Sequence, residues 1–192
     1  MFMSFYIFRQ NTLTKEEPMA IDGVPDTIDP LDWLKGKIIT SPTTDESSLI
    51  LDLSLESGDF RSAIIDGFLT LYHFRLCEVL TDFGVDNIQY FPVTLRDQDG
   101  VVVTENYRLV NIVGLLDCID MDKSKVKHWK SGMGFDFLSM VIDEKKVQGF
   151  PIFRLKDDPT KVVINETLKQ HIEKNKMTAG VKLIKTEDYS DW

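Results

Sequence analysis

The sequence predicts an α+β fold: a single domain with a mostly antiparallel or mixed β-sheet and two principal helices packed on it. Three observations predict this. Two long β-prone runs, residues 87–96 and 101–113, flank Asp97-Gln98-Asp99-Gly100. Residues 49–56 place leucine at every second position. Residues 70–83 and 165–175 carry apolar side chains at helical spacing.

The chain justifies these elements in order. Residues 2–9 are aromatic and β-prone, as a strand should be. Residues 11–47 collect Pro18, Pro25, Pro30 and Pro42. Proline removes backbone donors and extends the residue before it, so this is an irregular arm. One short turn at 29–34 lets Trp33 and Leu34 plug a core edge. Leu49, Leu51, Leu53 and Leu55 then face one way, and Ile50, Asp52, Ser54 and Glu56 the other, which is a half-buried strand. Ser57-Gly58-Asp59 ends it. Residues 60–69 fit neither period.

From Thr70, a candidate N-cap, the pattern turns helical. Tyr72, Leu76, Val79, Leu80 and Phe83 form one stripe, and Gly84 stops it. His73 lies beside the stripe without another His or Cys at metal-ligand spacing, so it reads as a surface or edge histidine. Asp99-Gly100 signals a hairpin, because glycine tolerates positive φ. The paired strands would form the sheet's centre, with Pro92 marking an edge or a bulge. Gly114 bends the apolar run 113–119.

Residues 124–134, with Lys123 just before them, hold Lys125, Lys127, His128, Trp129 and Lys130. They read as a solvated loop or short helix. Residues 135–142 are a strand or short helix, 150–155 a strand, 157–159 a turn and 161–164 a short strand. Asn165 caps the last helix, whose apolar side is Leu168 and Ile172 and whose wet side is Glu166, Lys169, Glu173 and Lys174. Residues 181–184 add a strand, and 185–192 a loose polar tail. The expected division is an arm at 1–48, a domain at 49–185 and a tail at 186–192.

Composition bounds the function. Hydrophobic residues at 43% and charged residues at 28% suffice for a core without metal or disulfide. Cys77 and Cys118 lie far apart in apolar surroundings and read as buried thiols in a reducing compartment. The N-terminus lacks a signal peptide's basic region and cleavage site, and no run reaches the ~20 apolar residues of a membrane helix. A cytoplasmic protein without membrane contact is expected. The net charge of −9 disfavours nucleic acid and suits a basic partner.

The one candidate catalytic constellation is Asp117, Asp120 and Asp122, in L-L-D-C-I-D-M-D-K-S. Asp120-x-Asp122 after an apolar strand resembles the opening motif of haloacid-dehalogenase-type phosphatases. There one carboxylate attacks phosphorus, the other handles protons, and both help hold Mg²⁺. A Mg²⁺-dependent phosphatase is therefore one alternative reading, and a general protein-interaction module is the other. Against it, Lys156-Asp157-Asp158 lacks the preceding apolar strand and Gly-Asp pair. Only about 70 residues follow the motif, too few for the crossovers of a doubly wound sheet. Acids that end a strand and enter a turn are favoured. Neither a phosphate-binding glycine loop nor a Gly-x-Ser-x-Gly turn is present. The expectation is a binding protein with no catalytic residue, cofactor or metal.

The order of segments adds a resemblance. N-I-Q-Y-F-P-V, N-Y-R-L-V-N-I-V, L-D-C-I-D, Lys123-Ser124, P-I-F-R-L and V-V-I-N-E-T-L-K-Q-H-I-E follow the first helix. The series resembles a family of bacterial immunity proteins from polymorphic-toxin and contact-competition systems, first catalogued as a domain of unknown function in myxobacteria. The likeness spans residues 49–185. Its marks are Tyr107, Asn111, Asp117 or Asp120, Ser124, Phe153-Arg154, and the final helix with Asn165 and Leu168. It implies a cytoplasmic antitoxin that blocks a cognate toxin and does no chemistry itself. A basic toxin would meet exposed acids, with Asp97, Asp99, Asp117, Asp120, Asp122, Asp157 and Asp158 as candidates. Tyr107, Asn111, Ser124, Phe153 and Arg154 are expected to hold the fold. Oligomeric state is left open.

Overall fold

The structure is a computed structural model and describes residues 3–25, 28–40, 49–131 and 133–190. Phe2, Pro42 and Trp192, from the expected first strand, arm and tail, lie outside the described residues. In chain order the strands are β1 (Phe5–Gln10), β2 (Leu49–Asp52), β3 (Ile64–Asp66), β4 (Thr70–His73), β5 (Ile88–Arg96), β6 (Val102–Ile112), β7 (Leu115–Leu116), β8 (Lys125–His128), β9 (Phe135–Ser139), β10 (Ile152–Leu155), β11 (Val162–Asn165) and β12 (Val181–Lys185). The helices are α1 (Phe74–Phe83), α2 (Glu144–Val147) and α3 (Glu166–Lys174).

The mixed α and β class stands, with the strands divided between two large sheets. The first has the order β12-β1-β11-β10-β7 and the second β2-β5-β6-β4-β3, while β8 and β9 form a separate hairpin. Both large sheets are mixed: β10 runs parallel to β7 and β2 parallel to β5. The expected hairpin of β5 and β6 is present, in the second sheet. Gly100 takes φ +79° in its turn. Pro92 lies one residue before β2 begins to pair with β5, and a register shift follows at Val93. Gly114, at φ +114°, lets the chain leave β6 and enter β7 in the other sheet.

Side chains on a strand alternate between faces, and here both faces are buried. Phe5 and Ile7 of β1 point into one cluster, Tyr6 and Phe8 into another. The same division separates Ile152 from Phe153 on β10, and Val110 from Leu109 on β6. Three apolar layers result. The middle layer lies between the sheets and takes in Leu76 and Leu80 of α1 and Leu168 and Ile172 of α3. The outer layer of the second sheet is closed by the arm, through Met19, Ile28 and Trp33. The outer layer of the first sheet is closed by the β8–β9 hairpin, Val147 of α2 and Tyr189.

Several expectations change. Thr70 caps nothing: residues 70–73 are a strand, and His73 caps α1 by accepting the Arg75 amide on Nδ1 at 3.3 Å. Tyr72 therefore reaches the middle layer from β4, not from the helix. Leu55 is exposed, because β2 ends at Asp52 and the chain turns away. Residues 125–128 are a strand rather than a loop or helix. Thr186 and Tyr189 are buried within the stretch expected to be a loose tail.

Candidate functional site

The seven acids do not converge on one point. Asp97 and Asp99 sit in the β5–β6 turn of the second sheet. Asp117 and Asp157 lie where the parallel strands β7 and β10 end. Asp120 and Asp122 occupy the turn that leads into β8, and Asp158 begins the turn into β11.

Their carboxylates fall into two kinds. Asp97 accepts the amides of Asp99 and Val101 at 3.0 and 2.8 Å. Asp120 accepts from the Lys123 ammonium at 2.6 Å and from its amide at 3.3 Å. That ammonium, foremost, holds the Asp120 carboxyl below its ordinary pKa. Asp158 accepts the Thr160 amide at 3.1 Å and pairs with Lys161 at 2.9 Å. These three hold turns. Asp117 makes one exposed pair with Lys156 at 3.1 Å, which lowers its pKa. The carboxylates of Asp99, Asp122 and Asp157 form no hydrogen bond or ion pair among the described residues. Asp120, the first acid of the phosphatase-like pair, is thus occupied by a lysine and its own turn. Among the described residues, no three His, Cys, Asp or Glu side chains form a group able to hold a metal ion.

The positions that mark the resemblance lie inside. Tyr107 is fully buried and donates its hydroxyl to the Ser62 carbonyl at 2.7 Å. Asn111 donates to the Lys37 carbonyl and to Gln89 Oε1, each at 2.8 Å. Gln89 in turn clasps the Ile39 amide and carbonyl, so the pair fastens the arm to the second sheet. Gln89 carries no sequence signal of its own; only its register opposite Asn111 reveals it. Arg154 is buried and donates to the Pro159 carbonyl at 2.8 Å, with burial pulling its pKa down. Phe153 meets Phe5 edge-on at 6.0 Å. The Ser124 hydroxyl donates to the Asp120 carbonyl at 2.7 Å and accepts the Val141 amide at 2.9 Å, tying both roots of the hairpin together.

Cys77 and Cys118 are buried free thiols, each pushed up to about 12 by burial. A thiol so raised is a poor nucleophile at neutral pH. No helix among the described residues is long and apolar enough to cross a membrane.

No curated protein matches the chain. Residues 61–188, two thirds of the chain, match the profile of the immunity protein family (Imm11), and the chain belongs to that family.

Proposed function

We propose that this chain is an antitoxin: it binds a cognate toxin domain of a polymorphic-toxin, contact-competition system in the bacterial cytoplasm and covers its active site. Family membership carries this reading. The net charge of −9 supports a basic toxin, since an acidic partner speeds encounter and selects for basic surfaces. The idle carboxylates of Asp99, Asp122 and Asp157 support direct contact, because a partner can neutralise them without breaking an internal bond. Asp117 joins them, its pair with Lys156 being exposed on both sides. Asp97, Asp120 and Asp158 act one step back, by shaping the turns that display the others. Such inhibition asks no catalysis, cofactor or metal of this chain.

Co-expression with a toxin domain found in this gene's neighbourhood is the test. Rescue of growth and a complex that co-purifies are expected. Absence of both removes the reading. Association should also slow as salt rises; a rate independent of salt would remove the electrostatic part and leave binding intact.

A further inference from the structure

The β8–β9 hairpin and the groove at its root carry complementary chemistry. On the β8–β9 hairpin Lys125, Lys127, His128 and Lys130 outweigh Asp136, the one acid in residues 125–139, so the hairpin is basic in an otherwise acidic chain. At its tip Trp129 is 50% exposed, yet it is held in place. Its amide donates to the Gly134 carbonyl at 2.9 Å. Its ring lies over Gly134, where a Cβ would stand 2.7 Å from Cε3 and Cζ3. Gly134 has no positive φ that would demand glycine, so its missing side chain makes room for the ring. An indole fixed beforehand and left half exposed loses little freedom on contact. Tryptophan is also enriched among the residues that dominate interfaces.

The groove has a volume of about 990 Å³. Met3, Val141 and Ile142 supply its apolar lining, and Asp143, Glu144 and Glu187 its acidic rim. Asp120 and Lys123 also line it and neutralise each other, Lys145 offsets one further charge, and Glu187 is loosely paired with Lys185 at 3.9 Å, which leaves Glu144 as a rim acid with no ion pair of its own among the described residues. Residues 120–123 lead into β8, and β9 leads back to 141–145. At ~3.3 Å per residue the hairpin tip stands roughly 13 Å from that root. A chain therefore cannot fill its own groove.

We propose that the hairpin of one copy docks in the groove of a second copy, with Trp129 against Met3, Val141 and Ile142, and Lys125 and Lys130 against Glu144 and Glu187. This chain supplies both halves of the charge complementarity, which selects a second copy over other occupants. A twofold arrangement makes both contacts at once and closes, so no unmatched surface is left to propagate a filament. The net charge of each copy opposes approach, but beyond about 8 Å it is screened at physiological ionic strength. The local pairing then decides. Asp99, Asp117 and Asp157 do not line the groove and stay open to a toxin, so the dimer and the antitoxin reading, on which it does not rest, are tested separately.

Sedimentation equilibrium of the full chain over a wide concentration range should give a monomer–dimer equilibrium. Trp129→Ala should weaken the dimer roughly tenfold or more. The double variants Lys125→Glu/Lys130→Glu and Glu144→Lys/Glu187→Lys should each be monomeric alone and form a heterodimer when mixed, because both contacts then pair opposite charges. Recovery on mixing also shows that each variant is folded. A wild-type chain that stays monomeric throughout, or a dimer indifferent to these changes, overturns the proposal. Loss of toxin binding by the hairpin variants of a monomeric chain assigns the hairpin to the toxin and overturns it equally.

Discussion

Over the outer face of the first sheet, Phe5, Ile7, Phe153 and Val163 lie under the β8–β9 hairpin, α2 and the turn at Tyr189. Over the outer face of the second, Leu51, Leu71, Val93 and Leu109 lie under an arm that carries Met19, Ile28 and Trp33. The first cover satisfies most of its backbone through its own ladder. It can leave an edge, a tryptophan and several lysines in water. The second has prolines, one short 3-10 turn at Asp32–Leu34, and isolated bridges such as Pro18 with Phe60 and Ile21 with Leu53. It must borrow hydrogen bonds from the body, and Asn111 and Gln89 lend them. Buried polar side chains in the body thus mark where an irregular cover is fastened. The family match covers residues 61–188, so the regular cover falls inside it and the arm outside.

The largest expected effect tests the apolar part of this contrast. Phe153 is fully buried in the layer beneath the hairpin. Phe153→Ala should cost about 3–5 kcal/mol in denaturant unfolding, from lost burial plus the cavity left behind. A loss below ~1 kcal/mol would mean that the hairpin collapses onto the gap, and that this cover is not a packed layer.

Asn111→Ala should cost less, about 1–3 kcal/mol, because it takes the donor from the Lys37 carbonyl and leaves Gln89 Oε1 with the Ile39 amide alone. Its signature is local. Amide exchange at Ile39 should accelerate while the β8–β9 ladder keeps its protection. Equal acceleration in both would erase the distinction between the covers.

These two residues also show what the sequence could carry. Asn165, the leucine alternation of β2 and the Asp99-Gly100 turn were legible because each is local: cap, period and positive φ lie within a few residues. The division into two sheets was not, since Gly114 moves the chain between them and nothing nearby says which sheet receives Leu115. The β4–α1 junction misled for a different reason. Tyr72 sits at helical spacing from Leu76, while on β4 it reaches the same middle layer. The β8 strand was masked by its lysines, which alternate with an inward Val126 as the wet face of a hairpin does. At the candidate site the acids could be picked from the sequence. Which member of each pair is idle could not, because that depends on where Lys123, Thr160 and the Val101 amide come to rest.

Asp120 and Asp122 give a matched test at the root of the hairpin cover. Asp120→Ala removes an acceptor for the Lys123 amide and ammonium and should lower the melting temperature by a few degrees. Asp122→Ala should leave it unchanged and slow association with the toxin. The reverse assignment, stability lost at 122 and binding lost at 120, would exchange their roles.

The smallest effect concerns the middle layer that both sheets share. His73 Nδ1 caps α1, and a protonated ring cannot accept the Arg75 amide. Burial, followed by the charges of Arg75, Arg61 and Arg108, holds the His73 pKa below its ordinary 6.5. The unfolded chain therefore binds this proton more readily than the folded one. The stability it contributes is complete above pH ~6.5 and is lost as pH falls through the lowered folded value. Unfolding free energy measured from pH 7 down to about pH 5 should decline, and His73→Asn should flatten that decline, since asparagine caps without titrating. Because α1 packs in the middle layer, exchange protection should fall in step in the hairpin and in the arm. A pH profile unchanged by the substitution would remove the histidine cap as its cause; protection lost in one cover alone would show that the two are not joined through the helix.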